Sequence, residues 1–346
     1  MGLTAVAVSG GVDSLVAAYL LKKKGPVVGV HFKTGYHPVA DEDIHRIGEQ
    51  LGIPVHILDV QTAFKERVVD YFVETYRSGR TPNPCLVCNP AIKFGRVFDI
   101  ARSLEADRLA TGHYARIRPG ADGSPRLYRG RDPQKEQSYF LAFLTPAQLA
   151  AADFPLGDMT KPAVKALAAE KGLRPVSASE SQDICFIRKS SYGGFIAGHQ
   201  KTAPRPGPIL DLHGRHLGEH KGLHLYTVGQ RRGIDCPAGA PYYVVSIEPH
   251  HNRLIVGFKE DLLSPECWVT GVNWIGPEPA GPVAAAVRIR YRHRAAPARL
   301  HPEGGGRVRI AFHTPQSAVT PGQGAVFYQG EAVLGAGWIE PGRDQE

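Results

Sequence analysis

The six residues Ser9-Gly-Gly-Val-Asp-Ser14 carry the strongest chemical signal in this 346-residue chain. Adjacent glycines let the backbone approach a polyphosphate closely, and serine hydroxyls with the first N–H groups of a following helix donate to it. No lysine follows the glycines, so this is not a Walker A loop. Asp13 has two readings, a helper in placing Mg²⁺ or a helix cap. A second cluster is Thr81-Pro-Asn-Pro-Cys-Leu-Val-Cys-Asn89, where two residues between Cys85 and Cys88 let both sulfurs face one point. A structural zinc site would need two further ligands, and no second C-x-x-C exists; His216, His220 and His224, with His213 before them, read as a solvated loop. Cys185 stands in the polar run Ser179-Glu-Ser-Gln-Asp-Ile-Cys-Phe186, while Cys236 and Cys267 read as small buried hydrophobes. If Cys185 folds back onto the pair, two chemistries remain. One is a thiol–persulfide relay; the other is a [4Fe–4S] cluster held by Cys85, Cys88 and Cys185 with one iron open. His113, in Ala110-Thr-Gly-His-Tyr114, would look into a crevice at a strand end. Arg288-Ile-Arg-Tyr-Arg-His-Arg294 reads as a strand with Arg288, Arg290, Arg292 and Arg294 on one face, an arrangement that suits a phosphate backbone. Gly229-Gln-Arg-Arg-Gly233 adds a second basic turn and Lys135-Glu-Gln137 a third polar cluster.

These residues need elements to hold them. Apolar strands at Leu3–Val8, Val27–Phe32, Val55–Val60 and Arg108–Thr111 alternate with helices at Leu15–Lys24, Asp41–Leu51, Ala63–Arg77 and Lys93–Leu104. That alternation predicts an α/β fold, a doubly wound, mainly parallel sheet with ligands beyond the strands' carboxyl ends. The stretch from about Glu136 to Gly172 reads as helical, including Lys161–Lys171 with Pro162 in its first turn. A Pro-rich hinge at Ala203–Pro208 and a second break at Ser264-Pro265 divide the chain into residues 1–202, 203–264 and 265–346. Short strands at Ile209–Leu212, His224–Val228, Tyr242–Ile247 and Arg253–Gly257 predict a small β-rich central domain. Those at Trp268–Ile275, Ala284–Tyr291, Arg307–Phe312 and Ala325–Tyr328 predict a C-terminal β-barrel.

Composition sets the outer limits. The chain has 41 Lys+Arg against 33 Asp+Glu, a net charge of +8 that suggests an anionic partner. Five cysteines, an odd count, argue against a disulfide framework and for a reducing compartment. There is no signal-peptide pattern and no apolar run of membrane-spanning length, so a cytoplasmic protein without membrane attachment is expected.

Taken together the motifs resemble those of the bacterial tRNA-specific 2-thiouridylases, over nearly the whole chain. The likeness rests on the Ser9–Ser14 loop, Thr81–Phe94, Ala110–Tyr114, Arg129-Gly130, Asp132–Leu141, Cys185-Phe-Ile187, Tyr226–Arg231, Arg290-Tyr-Arg292 and Pro321-Gly-Gln323. It implies a pyrophosphate-loop ATPase-type domain, a small central domain and a C-terminal barrel that contacts tRNA. The resemblance makes Ala7, Val8, Ser9, Gly10, Gly11, Val12, Asp13, Ser14, Phe32 and Gly112 the ATP contacts. It places Asn83, Pro84 and Cys85 against the target base, and makes Cys88 and Cys185 the catalytic pair. His113, Lys135, Glu136, Gln137, Arg290, Tyr291 and Gln323 would touch tRNA. The implied reaction adenylates O2 of the wobble uracil with ATP and Mg²⁺; a persulfide on Cys185 then delivers sulfur to C2, and Cys88 resolves it as a disulfide. Implied partners are tRNAs accepting Lys, Glu and Gln, and a sulfur donor such as a cysteine desulfurase, a relay protein or inorganic sulfide. Many family members carry Asp where this chain has Cys85, and the Lys33–Ala40 loop is shorter than in members with an insertion there. Two rival readings are another pyrophosphate-loop adenylating enzyme acting on a small molecule, and a non-catalytic RNA-binding protein with a structural metal. The first leaves the Arg-rich segment unexplained; the second leaves the intact Ser9–Ser14 loop unexplained.

Overall fold

The computed structural model describes residues 2–36, 39–176, 184–187, 192–199, 205–236 and 239–342. Ser179–Asp183 and Ala203-Pro204, which belong to two of the segments singled out above, lie outside the described residues. The chain forms two compact units, one of Met1–Val68, Cys85–Phe186 and Gly330–Leu334, the other of Val69–Pro84, Ile187–Gln329 and Gly335–Glu346.

The first unit is built on a parallel sheet. Its strands β1 (Leu3–Ala7), β2 (Val27–Lys33), β3 (Val55–Asp59), β4 (Ala106–Ala110) and β7 (Ala152–Asp153) lie in the order β3-β2-β1-β4-β7. Val6 pairs with Gly29 on one side and Ala110 on the other, so β1 is the central strand and the loop after it sits in mid-sheet. Helix α1 (Val12–Lys22) buries Leu15, Val16, Ala17, Ala18 and Leu21. Helix α2 (Asp41–Leu51) buries Ile44, Ile47 and Leu51 against the same core. Three acidic residues in the first turn of α2 complement its dipole, and Gly52, at φ 59°, ends it in the left-handed conformation. The helix Lys161–Glu170 packs on α1 through Val164 and Ala168.

Two local expectations change here. The stretch before Ala63–Arg77 ends is not a single α-helix: π-helical turns at Lys65–Val69 separate Gln61–Phe64 from Asp70–Arg77. The helix expected from Lys93 begins nine residues earlier, with Pro84–Cys88, and runs through π-helical turns at Asn89–Val97 into Phe98–Arg102. Pro84 opens it because a first-turn residue needs no N–H partner. The predicted helical stretch 136–172 holds Ser138–Leu141, Pro146–Ala151 and Lys161–Glu170, interrupted by β7. A hairpin of β5 (Ala115–Pro119) and β6 (Pro125–Arg129), unanticipated by the alternation rule, completes this unit, with Tyr128 paired to Ala332.

The second unit contains two β assemblies. The smaller has the order β10-β11-β8-β9, with β8 Gly207–Asp211, β9 His216–His220, β10 Tyr243–Glu248 and β11 Arg253–Gly257. Ile209, Tyr226, Val244, Leu254 and Val256 form its core. His224–Val228, expected as a strand, is a short 3₁₀ turn and loop. The larger is a closed antiparallel barrel of β12 (Leu263–Trp274), β13 (Val283–Arg288), β14 (Ala296–Gly304), β15 (Arg307–Ser317), β16 (Gly324–Gln329) and β17 (Ala332–Ile339), the last of which begins in the stretch Gly330–Leu334 counted with the first unit. Pairing of Val269 with Ile339 joins β12 to β17 and leaves the barrel no open edge. Ser264-Pro265, read as a break, lies inside β12.

Candidate active site

The Ser9–Ser14 loop leaves β1 at its carboxyl end and enters α1, as the sequence anticipates. Gly10 has φ 88°, and a side chain there would meet Val176 Cγ2 at 2.7 Å. The Ser9 N–H donates to Ser14 Oγ (3.2 Å), and Ser14 Oγ donates to Gly11 O (2.9 Å), closing the loop on itself. Gly11 caps α1 and supplies no side-chain acceptor, so the first-turn amides face the loop at the positive end of the helix. His31 Nδ1 lies 2.8 Å from Val8 O and fixes the start of the loop from β2. Phe32 is half-buried near the end of that strand.

The segment after β4 closes on this loop. A side-chain carbon on Gly112 would sit 3.0 Å from the Asp13 backbone, so glycine is what allows the approach. Asp13 neither caps the helix nor stands alone. Its Oδ1 accepts from Tyr114 OH (2.7 Å) and Lys161 Nζ (2.8 Å), and its Oδ2 accepts from Lys161 Nζ (2.7 Å). Neither Tyr114 nor Lys161 was assigned a role from sequence. Tyr114 lies in a motif already noted, whereas nothing local marks Lys161, 148 residues from its partner.

Cys85 and Cys88 stand three residues apart in the helix that Pro84 opens, which puts both thiols on one helix face. Cys185 comes near them because Phe186 is buried, its ring edge-on to Phe64 (centroids 5.8 Å apart) and to Tyr36 (5.9 Å). Burial pushes the Cys88 thiol up to about 12; Lys93 opposes this, and negative charge on Cys185 or Cys85 adds to it. Burial also raises Cys85, again opposed by Lys93. Lys93 Nζ is 3.4 Å from His113 Nε2, and His113 Nδ1 is 2.6 Å from Thr111 Oγ1. Burial first, then Lys93, pushes the His113 imidazole well below its usual pKa, so it is neutral. Among the described residues no group of three or more His, Cys, Asp or Glu is placed to hold a metal ion. Of the two chemistries left open for the three thiols, the cluster therefore finds no support among the described residues.

The remaining candidates divide. Glu136 is buried and accepts the Ser138 N–H at 2.5 Å, holding a turn. Gln137 Oε1 accepts the Tyr114 N–H (3.0 Å), and Lys135 stays half-buried beside them. In the second unit, four motifs distant in sequence line one cavity of about 260 Å³: Thr81, Thr227, Gly229, Arg290, Ala318 and Gln323 all border it. Gln323 Nε2 donates to Thr81 O (3.1 Å) and Pro82 O (3.0 Å), and Asn83 Nδ2 lies 3.5 Å from Gln323 Oε1. The turn Pro321-Gly-Gln323 thus holds Thr81, Pro82 and Asn83 in place. The arginine row is corrected. β13 ends at Arg288, and 289–295 is a turn, so the four arginines do not share a strand face. Arg288 folds over the Tyr291 ring (5.5 Å) and donates to Tyr291 O and His293 O, while Arg290 reaches Ser317 O (3.2 Å). Arg290, Arg292 and Arg294 remain exposed. The histidines also depart from a solvated loop: His216 and His220 are in β9, and His220 and His224 are buried. Cys267 is buried in β12, and Cys236 packs against the smaller sheet's core.

A parallel sheet with a glycine-rich loop after its central strand defines a nucleotide-binding domain, here followed by two small β assemblies. Family models agree segment by segment: a tRNA methyl transferase HUP domain matches residues 3–189, its PRC-barrel domain 194–258, and an aminomethyltransferase β-barrel domain 264–339. Relatives match end to end. A tRNA-specific 2-thiouridylase of Desulfosudis oleivorans is 54% identical, covering 97% of this chain and 94% of the relative. Those of Syntrophotalea carbinolica and Geobacter metallireducens are 46% and 44% identical, covering 96% and 97% of this chain and 97% and 96% of their own lengths. The chain belongs to the tRNA-specific 2-thiouridylase family.

Proposed function

We propose that this protein is an ATP-dependent sulfurtransferase that converts the wobble uridine of tRNA to 2-thiouridine. The observation that carries this reading is one unit holding both the Ser9–Ser14 loop and a group of cysteines, Cys88 being close to Cys85, Cys185 and Lys93. Ala7 to Ser14, Phe32 and Gly112 hold the nucleotide, and magnesium arrives bound to it. Uracil O2 attacks the α-phosphorus, pyrophosphate leaves, and the N3 proton is lost. The urea-like C2, a poor electrophile before, now carries a good leaving group. The terminal sulfur of a Cys185 persulfide forms a bond to C2, and the C2–O2 bond breaks as AMP departs. Cys88 gives up its thiol proton as its sulfur attacks Cys185 Sγ. A Cys88–Cys185 disulfide forms, the old S–S electron pair stays on the sulfur attached to C2, and N3 regains a proton. A dithiol reductant resets the disulfide, and the outer sulfur of a persulfide on a cysteine desulfurase or relay protein then passes to Cys185; inorganic sulfide instead attacks Cys185 Sγ in the disulfide itself, expelling the Cys88 thiolate and leaving the Cys185 persulfide in one step.

The target base must leave the anticodon stack to be reached, and the Asn83–Cys85 tripeptide would meet it. His113, Lys135, Gln137, Arg290, Tyr291 and Gln323 hold the tRNA, expected to be the acceptors for Lys, Glu and Gln. Among the described residues no helix is long and apolar enough to cross a membrane. The test is mass spectrometry of wobble nucleosides after reaction of unmodified tRNA with ATP and a sulfur source, with pyrophosphate measured in parallel. The expected result is 2-thiouridine with tRNA-dependent pyrophosphate release; release without tRNA, or none, overturns it. Iron and acid-labile sulfide in stoichiometric amount, required for activity, would replace the persulfide with a cluster-borne sulfide.

A further inference from the structure

The phosphate loop contains a carboxylate where a polyanion is expected to bind, and bringing ATP beside a bare carboxylate would be unfavourable. Lys161 answers that problem. It is 6% exposed, and its ammonium contacts both oxygens of Asp13 at 2.8 and 2.7 Å. Its backbone is fixed too, because the Lys161 N–H donates to Asp132 Oδ2 at 2.8 Å and Thr160 caps the same helix. Tyr114 OH completes the shell around Asp13 Oδ1 (2.7 Å), and Tyr114 is itself held by Gln137 at 3.0 Å. Two residues distant in sequence, Tyr114 and Lys161, therefore converge on one carboxylate, and the segment 132–137 holds the backbone of both.

We propose that Lys161 is a positioning residue of the phosphate loop: it converts Asp13 into a neutral, immobilised pair so that the loop's amides and hydroxyls can accept a polyphosphate. In this arrangement Asp13 contributes its backbone to the loop, and its side chain serves as an anchor for Lys161 and Tyr114. The inference rests on the assignment of ATP to this loop. It differs from two other roles the same residues could have, Lys161 binding phosphate directly and Asp13 ligating the nucleotide's magnesium. In both of those, removing the two charges together is worse than, or as bad as, removing one. In the neutral-pair arrangement the second change repairs the first.

The experiment is calorimetric titration of the full-length protein with ATP, at fixed and at varied Mg²⁺. Lys161→Met leaves an uncompensated carboxylate beside the polyanion, and its Kd is expected to rise about 10- to 100-fold. Adding Asp13→Asn, which keeps an acceptor for Tyr114, should return Kd to within about threefold of the original protein, with the same Mg²⁺ dependence. A double variant as weak as Lys161→Met, or one that has lost its Mg²⁺ dependence, overturns the inference. If Lys161→Met does not fold, the double variant alone decides on the same criterion. An unaltered protein that binds no ATP overturns the nucleotide assignment itself, and this inference with it.

Discussion

Three thiols and one ammonium share a small volume in the first unit, and their chemistry follows from charge and solvation. Cys88 at about 12 is a protonated thiol at neutral pH, held there chiefly by burial. Peptide-resolved alkylation with iodoacetamide should therefore be slow at Cys88 near pH 7 and rise about tenfold per pH unit above it. Fast, pH-independent labelling would contradict the burial. Lys93 lowers both Cys85 and Cys88, so Lys93→Met should slow Cys88 labelling at every pH below its pKa. Under the proposed function Cys185 carries the sulfur, so in Cys185→Ala thiolation should fall more than about 10³-fold while tRNA binding holds. Full activity of that variant would reassign the site. The identities of these residues were readable from sequence. Their grouping came only from the family resemblance and stayed conditional in the residues alone, because it depends on Phe186 finding its place beside Phe64 and Tyr36.

Elements were legible where the signal is local and obscure where it depends on closure. Gly-Gly between a β-branched strand and an amphipathic run names a loop that ends in a helix N-terminus, and the Ser9–Ser14 loop is one. The cysteine helix is less legible, because its expected start at Lys93 misses that Pro84, at a first helical turn, starts the helix that carries both thiols. The Arg288–Arg294 alternation imitates a strand of period two, and the Arg288–Tyr291 contact shows why it is a turn: the guanidinium is spent on the turn's own carbonyls and ring. Nothing in the sequence announced that Thr81, Thr227, Arg290 and Gln323 border one cavity, since they come from segments far apart in the chain that only the tertiary fold brings together. Gly322 tests that arrangement. It has φ 87°, and a Cβ would lie 2.9 Å from Thr81 O. Gly322→Ala should cost about 1–3 kcal/mol of stability from backbone strain alone. It should also displace the Thr81–Asn83 segment and weaken tRNA binding, checked by thermal unfolding and filter binding. An unchanged Tm and Kd would show that the turn is not under this constraint.

For the whole molecule, charge and pH are the variables that composition alone introduces. The net +8 now has a partner under the proposed function, and exposed Arg290 is one place where the excess meets it. Arg290→Ala should weaken tRNA binding and reduce the slope of log K against log salt by about one. An unchanged slope removes Arg290 from the interface. Acidification acts on a different set of groups, spread over both units. His31, His113, His220, His224 and His293 are all pushed below the ordinary value of 6.5, in each case chiefly by burial. His220 shows the geometry: Nε2 lies 3.0 Å from Asn252 O, and Nδ1 accepts the Gly222 N–H at 3.1 Å, an arrangement that requires the neutral ring. A depressed folded-state pKa means the unfolded chain takes up the proton first. The stability these five contribute is complete above pH 6.5 and is lost as pH falls below it, by at most about 1.4 kcal/mol per pH unit for each histidine. Tm should therefore be flat between pH 7 and 8 and fall steadily from pH 6.5 to 5.5, before the carboxylates begin to titrate. His220→Asn, which deletes one of these protons, should shallow the decline, and a Tm that stays level to pH 5.5 would mean the rings are protonated or solvated in the fold.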